Sequence, residues 1–140
     1  MLDQIKLHNL KNIKLQNGNV MHALKKSDND FIKFGEIYFS WIKKNKIKAW
    51  KYHLKMNINF IVPVGEVLFV FHDYKNNRFR EIVIGTKNYA RVFVPPKIWF
   101  GFKNISPSDS LVVNVASIEH NDNEVRTKNI EDINFDWKNF

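Results

Sequence analysis

The sequence predicts an all-β sandwich or barrel. Short apolar runs rich in Val, Ile, Phe and Tyr recur along the chain, and turn residues separate them. The clearest pair of runs is NFIVPVGEVLFVFHD over Asn59–Asp73, where two β-prone segments meet at Gly65 and Glu66. Glycine takes the positive φ that a tight hairpin turn requires. No stretch has a convincing helical period, so we expect little helix.

The predicted strands follow from these runs. In chain order they are Val20–Lys25, Glu36–Ile42, Ile47–Lys55, Asn59–Val64, Val67–His72, Phe79–Ile84, Ala90–Val94 and Ser110–Ser117. Pro63 has no N–H to donate, so its strand should present that position at a sheet edge or a bulge. Pro95 and Pro96 end the strand before them for the same reason. The polar segment Ile118–Asp132 is the place where we expect one short helix.

The chain is long enough for one domain, residues 1–140, because domains typically contain about 100–150 residues. No linker or internal repeat divides it. The absence of Cys excludes disulfides and thiolate metal sites. Charges stand where a signal peptide needs an apolar region, and no run approaches the ~18 apolar residues of a membrane span. We therefore expect a cytoplasmic protein.

The charge balance favours an anionic partner. There are 22 Lys and Arg against 14 Asp and Glu, a net charge of +8. The excess is almost all Lys, and the Lys residues are scattered, whereas proteins that recognise bases by bidentate contacts prefer Arg. The charge pattern therefore favours an anionic partner such as a phosphorylated metabolite or an anionic lipid over nucleic acid, and since the sequence has no membrane span we expect no membrane partner.

The histidines do not form the pattern of a metal site. Two His one residue apart on a strand would project to the same side, and a carboxylate and a later His would complete the ligand set. In this sequence Lys51 occupies the first position of the pair Lys51 and His53, and Val94–Asn104 contains no His. We expect no metal. The five histidines are His8, His22, His53, His72 and His120.

His53 is the first candidate for chemistry. In an extended strand Lys51, His53 and Lys55 share one face. A base beside two cations suits removal of a proton next to a ketone, since the cations favour the developing enolate. The alternative is a hydrogen-bonded structural His with solvated Lys neighbours.

Aromatic residues make up 14% of the chain. Such rings could stack on a nucleobase or a sugar ring, or they could fill the core of a small barrel. The candidates for either role are Trp50, Trp99, Phe100 and Phe102.

Several segments carry a resemblance to a known family. They are VMHALKKSD (Val20–Asp28), FGEIYFSWI (Phe34–Ile42), IKAWKYHLKMNINFIVPVGEV (Ile47–Val67), REIVIG (Arg80–Gly85), RVFVPPKIWFGFKN (Arg91–Asn104) and EDINFDW (Glu131–Trp137). In this order and spacing the chain resembles the dTDP-4-dehydrorhamnose 3,5-epimerase family over most of residues 18–137. The resemblance implies a cupin jelly-roll β-barrel with little helix that forms a homodimer. From the strand spacing and Pro63 we expect the dimer to form through sheet edges near the N-terminal segment.

The resemblance also implies an activity. Such proteins are metal-independent and use no cofactor, and they epimerise nucleotide-linked 4-keto-6-deoxysugars for surface polysaccharides such as lipopolysaccharide. A His base removes the proton at carbon 3 or carbon 5, an Asp assists it, and a Tyr on the opposite face returns the proton. By this match His53 is the base and Asp136 the acid that orients it. The residues expected to bind the substrate are Lys51, Lys55, His22, Lys25, Asn59, Trp99 and Lys103.

One departure from the family concerns the proton donor. The segment ASIEHNDNE (Ala116–Glu124), where the family places its Tyr, contains none. His120 is the titratable side chain that could replace it. Two other readings remain: a non-catalytic module that binds a nucleotide sugar or serves in assembly on the same fold, and a metal-dependent cupin oxygenase, which the missing His ligands disfavour.

Overall fold

The computed structural model describes residues 1–139, and their regular structure is almost entirely antiparallel β. Within these residues there is no α-helix, and the helical turns are the 3-10 turns Leu2–Gln4, Ile130–Asp132 and Trp137–Asn139. This confirms the all-β jelly roll. The strands are β1 (Lys6–Asn9), β2 (Asn12–Ile13), β3 (Val20–Met21), β4 (Glu36–Ile42), β5 (Ile47–His53), β6 (Ile58–Val64), β7 (Glu66–Asp73), β8 (Arg78–Gly85), β9 (Ala90–Val94), β10 (Trp99–Asn104), β11 (Ser110–Ala116) and β12 (Val125–Thr127).

Two five-stranded sheets face each other. The first has the order β1-β9-β6-β11-β4 and the second β12-β5-β10-β7-β8, while β2 and β3 form a separate small hairpin. Alternate side chains of both sheets point between them, as the period of a strand requires, and form the core. Its largest members are rings in contact with one another, Phe60, Phe69, Phe71, Phe100 and Phe102.

The predicted strands all occur, two of them, β4 and β9, with the predicted bounds. The predicted strand Val20–Lys25 is shorter, because pairing stops after Met21. The short helix expected in Ile118–Asp132 does not form as an α-helix. Part of this segment pairs with β5 as β12, so its backbone is extended, and a single 3-10 turn follows.

The turn and bulge predicted near Gly65 and Pro63 are both present. Gly65 has a φ of 89°, and a Cβ there would lie 1.9 Å from Ser110 Oγ, so the position requires glycine. Between β6 and β11 the register shifts, because Ile61 pairs with Val113 and Val64 with Leu111. Pro63 therefore lies in a bulge of an interior strand, where no ladder hydrogen bond is lost.

A second apolar cluster covers the outer face of the second sheet. Trp50 of β5 contacts Trp137 with ring centroids 5.3 Å apart, and its Nε1 donates to the Ile130 carbonyl at 3.1 Å. Ile133 and Trp99 also belong to the buried centre of this cluster. The C-terminal segment is thereby fixed against the back of the strand that carries His53. Among the described residues no helix is long and apolar enough to cross a bilayer.

Candidate active site

A cavity of about 370 Å³ opens between the two sheets. One wall comes from β5, β10 and β12 of the second sheet, and the facing wall from β4 and β11 of the first. Phe100 and Phe102 provide its apolar surface, and these rings also belong to the core. The volume lies in the range of about 300–1,000 Å³ that is usual for small-molecule sites.

A bulge in β5 determines which of its side chains face this cavity. Lys51 lies opposite Phe100 and Lys48 opposite Phe102, although the two lysines are three residues apart. The register shift lies between Phe100 and Gly101, where a Cβ on Gly101 would lie 2.5 Å from the Cβ of Ala49. The close approach of the strands therefore requires glycine at this position. Lys48, Lys51 and His53 all line the cavity as a result.

His53 is paired with Glu124. The distance from His53 Nδ1 to Glu124 Oε1 is 2.5 Å, and the two residues are only 6% and 4% exposed. The other carboxylate oxygen, Oε2, accepts the backbone N–H groups of Lys55 and Met56, each at 3.2 Å. The His53 ring also stacks against Phe100, with ring centroids 6.0 Å apart. The hydrogen bond to Glu124 and the contact with the Phe100 ring together fix the orientation of the imidazole.

Glu124 is ionised at neutral pH. Burial alone would raise its pKa, but the hydrogen bonds from His53, Lys55 and Met56 outweigh the cost of burial, so its pKa lies below the usual value. An ionised carboxylate only accepts hydrogen bonds, so Nδ1 of His53 carries the proton. The lone pair of Nε2 is then available to accept a proton from a bound molecule.

The expected pairing of His53 with Asp136 is wrong. Asp136 is exposed and accepts hydrogen bonds from the Lys138 backbone N–H at 2.9 Å and from Asn139 Nδ2 at 3.0 Å. The neighbouring rings of Phe135 and Trp137 pack into the outer aromatic cluster, so the side chain between them points to solvent. Glu124 takes the orienting position because β12 places Val125 directly opposite His53.

His120 does not line the cavity. Its side chain is 63% exposed, and its Nε2 lies 2.8 Å from Asp122 Oδ1 in the same loop. The expectation that His120 supplies the proton donor therefore has no geometric support.

The lysines that line the cavity are only partly those that the sequence predicted. Lys51 lines the cavity, as predicted, but Lys55 follows the end of β5 and contributes its backbone N–H to Glu124 instead. Lys48 and Lys128, which the sequence did not single out, line the cavity as well. Lys128 also places its Nζ 4.5 Å from the centre of the Trp99 ring, which itself packs in the outer cluster.

Asn59 and Lys103, which the sequence predicted as substrate-binding residues, make structural contacts within the protein instead. Asn59 Oδ1 accepts from Arg91 Nη1 at 2.6 Å, and Asn59 Nδ2 donates to the Asp30 carbonyl. Lys103 is buried, and its Nζ donates to the Trp137 carbonyl at 2.7 Å, which ties the C-terminal segment to β10. Neither residue lines the cavity.

His22 and Lys25 lie at a different place. They border a second cavity of about 290 Å³, together with His8, Lys11 and Arg91. This cavity lies under the segment that follows β3, away from His53. The structure does not bring these two residues into the His53 cavity.

The facing wall contributes polar groups that the sequence did not reveal. Tyr38 and Ser40 of β4 and Asn114 of β11 all line the cavity. Tyr38 pairs with Asn114 and Ser40 with the core residue Val112, so these side chains point between the sheets. Burial, with a smaller contribution from the Glu36 carboxylate, raises the pKa of Tyr38 above its usual value. Among residues 1–139 no group of three or more His, Cys, Asp or Glu is arranged to hold a metal.

Fold and site together define a jelly-roll protein with a His–carboxylate base and several cations in one pocket. No family model matches the sequence. The crystal structure of a dTDP sugar isomerase from Desulfovibrio desulfuricans G20 is 32% identical and superposes with a TM-score of 0.90, covering 96% of this chain and 91% of that one. The chain therefore belongs to the dTDP-sugar isomerases related to the dTDP-4-dehydrorhamnose 3,5-epimerases, which confirms the resemblance.

Two further relatives are more distant. The dTDP-6-deoxy-D-glucose-3,5-epimerase from Legionella pneumophila Philadelphia 1, solved with dTDP-4-keto-L-rhamnose, has the same fold, with a TM-score of 0.82 at 15% identity, covering 97% of this chain and 79% of that one. A probable low-salt glycan biosynthesis epimerase from Haloferax volcanii is 29% identical over 83 residues, 55% of this chain. The match spans about half of that curated relative, 53% of its length.

Proposed function

We propose that this protein is an epimerase or isomerase of a nucleotide-linked 4-keto-6-deoxysugar. The observation that carries the proposal is the buried His53–Glu124 pair, which leaves Nε2 of His53 as a proton acceptor at a cavity of suitable size. The proton on a carbon next to a ketone is the one that such a base can remove, because the resulting charge moves to the ketone oxygen. The dTDP-sugar relatives support the same substrate class.

Cations in the cavity suit both ends of such a substrate. Lys51, next to His53 on the same side of β5, is placed to stabilise the enolate oxygen. Lys48 and Lys128 provide positive charge for the diphosphate. Since Lys51 supplies the positive charge at the reacting oxygen, we propose that the reaction does not depend on a metal.

The proposal is tested by solvent exchange. Purified protein is incubated in deuterium oxide with dTDP-4-keto-6-deoxyglucose, and deuterium at carbon 3 and carbon 5 is followed by proton NMR. We expect incorporation well above the rate without protein. The matched control is dTDP-glucose, which has no ketone and should not exchange. If no 4-ketosugar nucleotide exchanges while dTDP still raises the melting temperature, the protein is a binding module and not an enzyme.

We also propose that the protein is a homodimer assembled through β4. This strand is at the edge of the first sheet, and three large apolar side chains on its outer face, Ile37, Phe39 and Trp41, are 51%, 66% and 56% exposed. A long apolar edge strand is normally covered, since its free backbone groups can pair with another strand. A second copy of this chain would cover it.

The dimer is expected to dissociate when a charge is placed on this edge. Phe39→Asp should give a monomer by light scattering after gel filtration, because burying an unpaired carboxylate costs more than the interface gains. Ile130→Asp is the control, since Ile130 is 41% exposed on the C-terminal segment and should leave the dimer intact. A wild-type monomer at micromolar concentration would contradict the proposal.

The cellular setting follows from the substrate. A nucleotide-diphosphate sugar carries several charges and does not cross a membrane unaided, so we propose a cytoplasmic protein. The glycan-biosynthesis relative supports a role in glycan synthesis. We propose surface polysaccharide, including lipopolysaccharide, as the product that this role serves.

A further inference from the structure

Removing a proton and returning it to the other face of the same carbon needs two groups on opposite sides of the substrate. His53 projects into the cavity from the second sheet. A donor for the opposite face must therefore come from the first sheet, which contributes Tyr38, Ser40 and Asn114. These three polar side chains are the candidates on that wall within the described residues.

Chemistry separates the three candidates. The side-chain amide of Asn114 does not act as an acid in water. The hydroxyl of Ser40, which accepts a hydrogen bond from Lys48 Nζ at 2.8 Å, is a far weaker acid than a phenol. The Tyr38 hydroxyl makes no hydrogen bond to any group of residues 1–139 and lies on the cavity. We infer that Tyr38 is the proton donor that inverts the configuration of the carbon from which His53 removes a proton. This inference rests on the proposed function.

The protonation state of Tyr38 agrees with this role. Burial, followed by the nearby Glu36 carboxylate, raises the pKa of its hydroxyl, so the phenol is fully protonated at neutral pH. Pairing of β4 with β11 over its whole length fixes the backbone of Tyr38 on the wall facing His53, and the side chain, which lines the cavity, stays 41% exposed. The Tyr38 phenol is therefore in the acid form that the reaction requires.

Over one turnover the protein neither gains nor loses a proton. His53 Nε2 takes the proton from the carbon next to the ketone, which leaves an imidazolium and an enolate. The Tyr38 hydroxyl gives its proton to the same carbon from the other side, which restores the ketone and leaves a tyrosinate. Solvent then removes the extra proton from His53 and returns one to Tyr38. No other reactant is required.

The test separates exchange from inversion. Tyr38→Phe removes only the hydroxyl, so abstraction and return of a proton by His53 on its own face should continue. We expect deuterium exchange within a few-fold of wild type, while formation of the inverted sugar falls by about 10²–10⁴-fold, the usual contribution of a general acid. Tyr74→Phe, an exposed tyrosine outside the cavity, is the matched control and should leave both rates unchanged.

Any other result overturns either the role of Tyr38 or the proposed function. A Tyr38→Phe protein that inverts as fast as wild type, or that is folded by thermal melting but loses exchange together with inversion, overturns the role of Tyr38 and leaves the proposed function standing. A wild-type protein that exchanges without inverting also overturns it. A wild-type protein that does not exchange overturns the proposed function itself.

Discussion

Replacing His53 by Asn should reduce deuterium exchange into a 4-ketosugar nucleotide by about 10²–10⁴-fold, because general-base catalysis typically contributes that much. The Asn side chain can still donate to Glu124, so the buried carboxylate keeps a partner and the fold should persist. The cations Lys48 and Lys128 are untouched, so dTDP should still raise the melting temperature of the variant. Exchange is measured by proton NMR and binding by thermal shift.

His120→Asn is the matched control for this variant. His120 is a titratable His of the same chain, but it lies in solvent next to Asp122 and outside the cavity. We expect its exchange and inversion rates to equal those of wild type. If exchange survives the loss of His53, or disappears with the loss of His120, the base has been assigned to the wrong residue.

Replacing Glu124 by Gln should lower the reaction rate nearly as much as replacing His53 by Asn, although Gln has almost the same shape as Glu. The backbone N–H groups of Lys55 and Met56 point at Oε2, so the amide oxygen of Gln must occupy that position. Its NH₂ group then faces Nδ1 of His53, which has to become an acceptor. The imidazole proton moves to Nε2, and Nε2 can no longer accept a proton from the substrate.

The expected result is a fall in kcat of about 10²–10⁴-fold with little change in KM, since Glu124 orients the base and does not bind the nucleotide. Nitrogen NMR of the imidazole reports the tautomer directly and should place the proton on Nε2 in the variant and on Nδ1 in wild type. Asp136→Asn is the control, because Asp136 only caps the last turn. A large effect of Asp136→Asn, with none from Glu124→Gln, would contradict the observed pairing.

The strands were predictable where apolar runs alternate between turn residues, which is why β4 and β9 were predicted with their observed bounds. The strand β10 was missed because it is buried on both faces and contains Gly101, so its sequence has no alternation. The three-residue strand β12 is polar and exposed at two positions, and only its pairing with β5 makes it a strand. Long-range pairing of this kind leaves no local signal.

The candidate site was predictable on one strand only. The period of β5 placed His53 with Lys51, but the bulge opposite Gly101 changed which residue comes next, so Lys48 was missed. Glu124 is 71 residues from His53 and stands in a polar loop, where no pattern distinguishes it from the neighbouring acids. Tyr38 lies between apolar residues in β4, and its inward direction is evident only from its pairing with Asn114.

One face of β4 lines the cavity, and its other face forms the exposed apolar edge. Its inward side chains include Tyr38, and its outward side chains Phe39 and Trp41 form the apolar edge. Because alternate residues of one rigid strand serve both, any shift of the edge moves the cavity wall. If the proposed dimer forms through this edge, dilution below its dissociation constant should slow the proposed reaction, so the specific activity of the protein should depend on its own concentration.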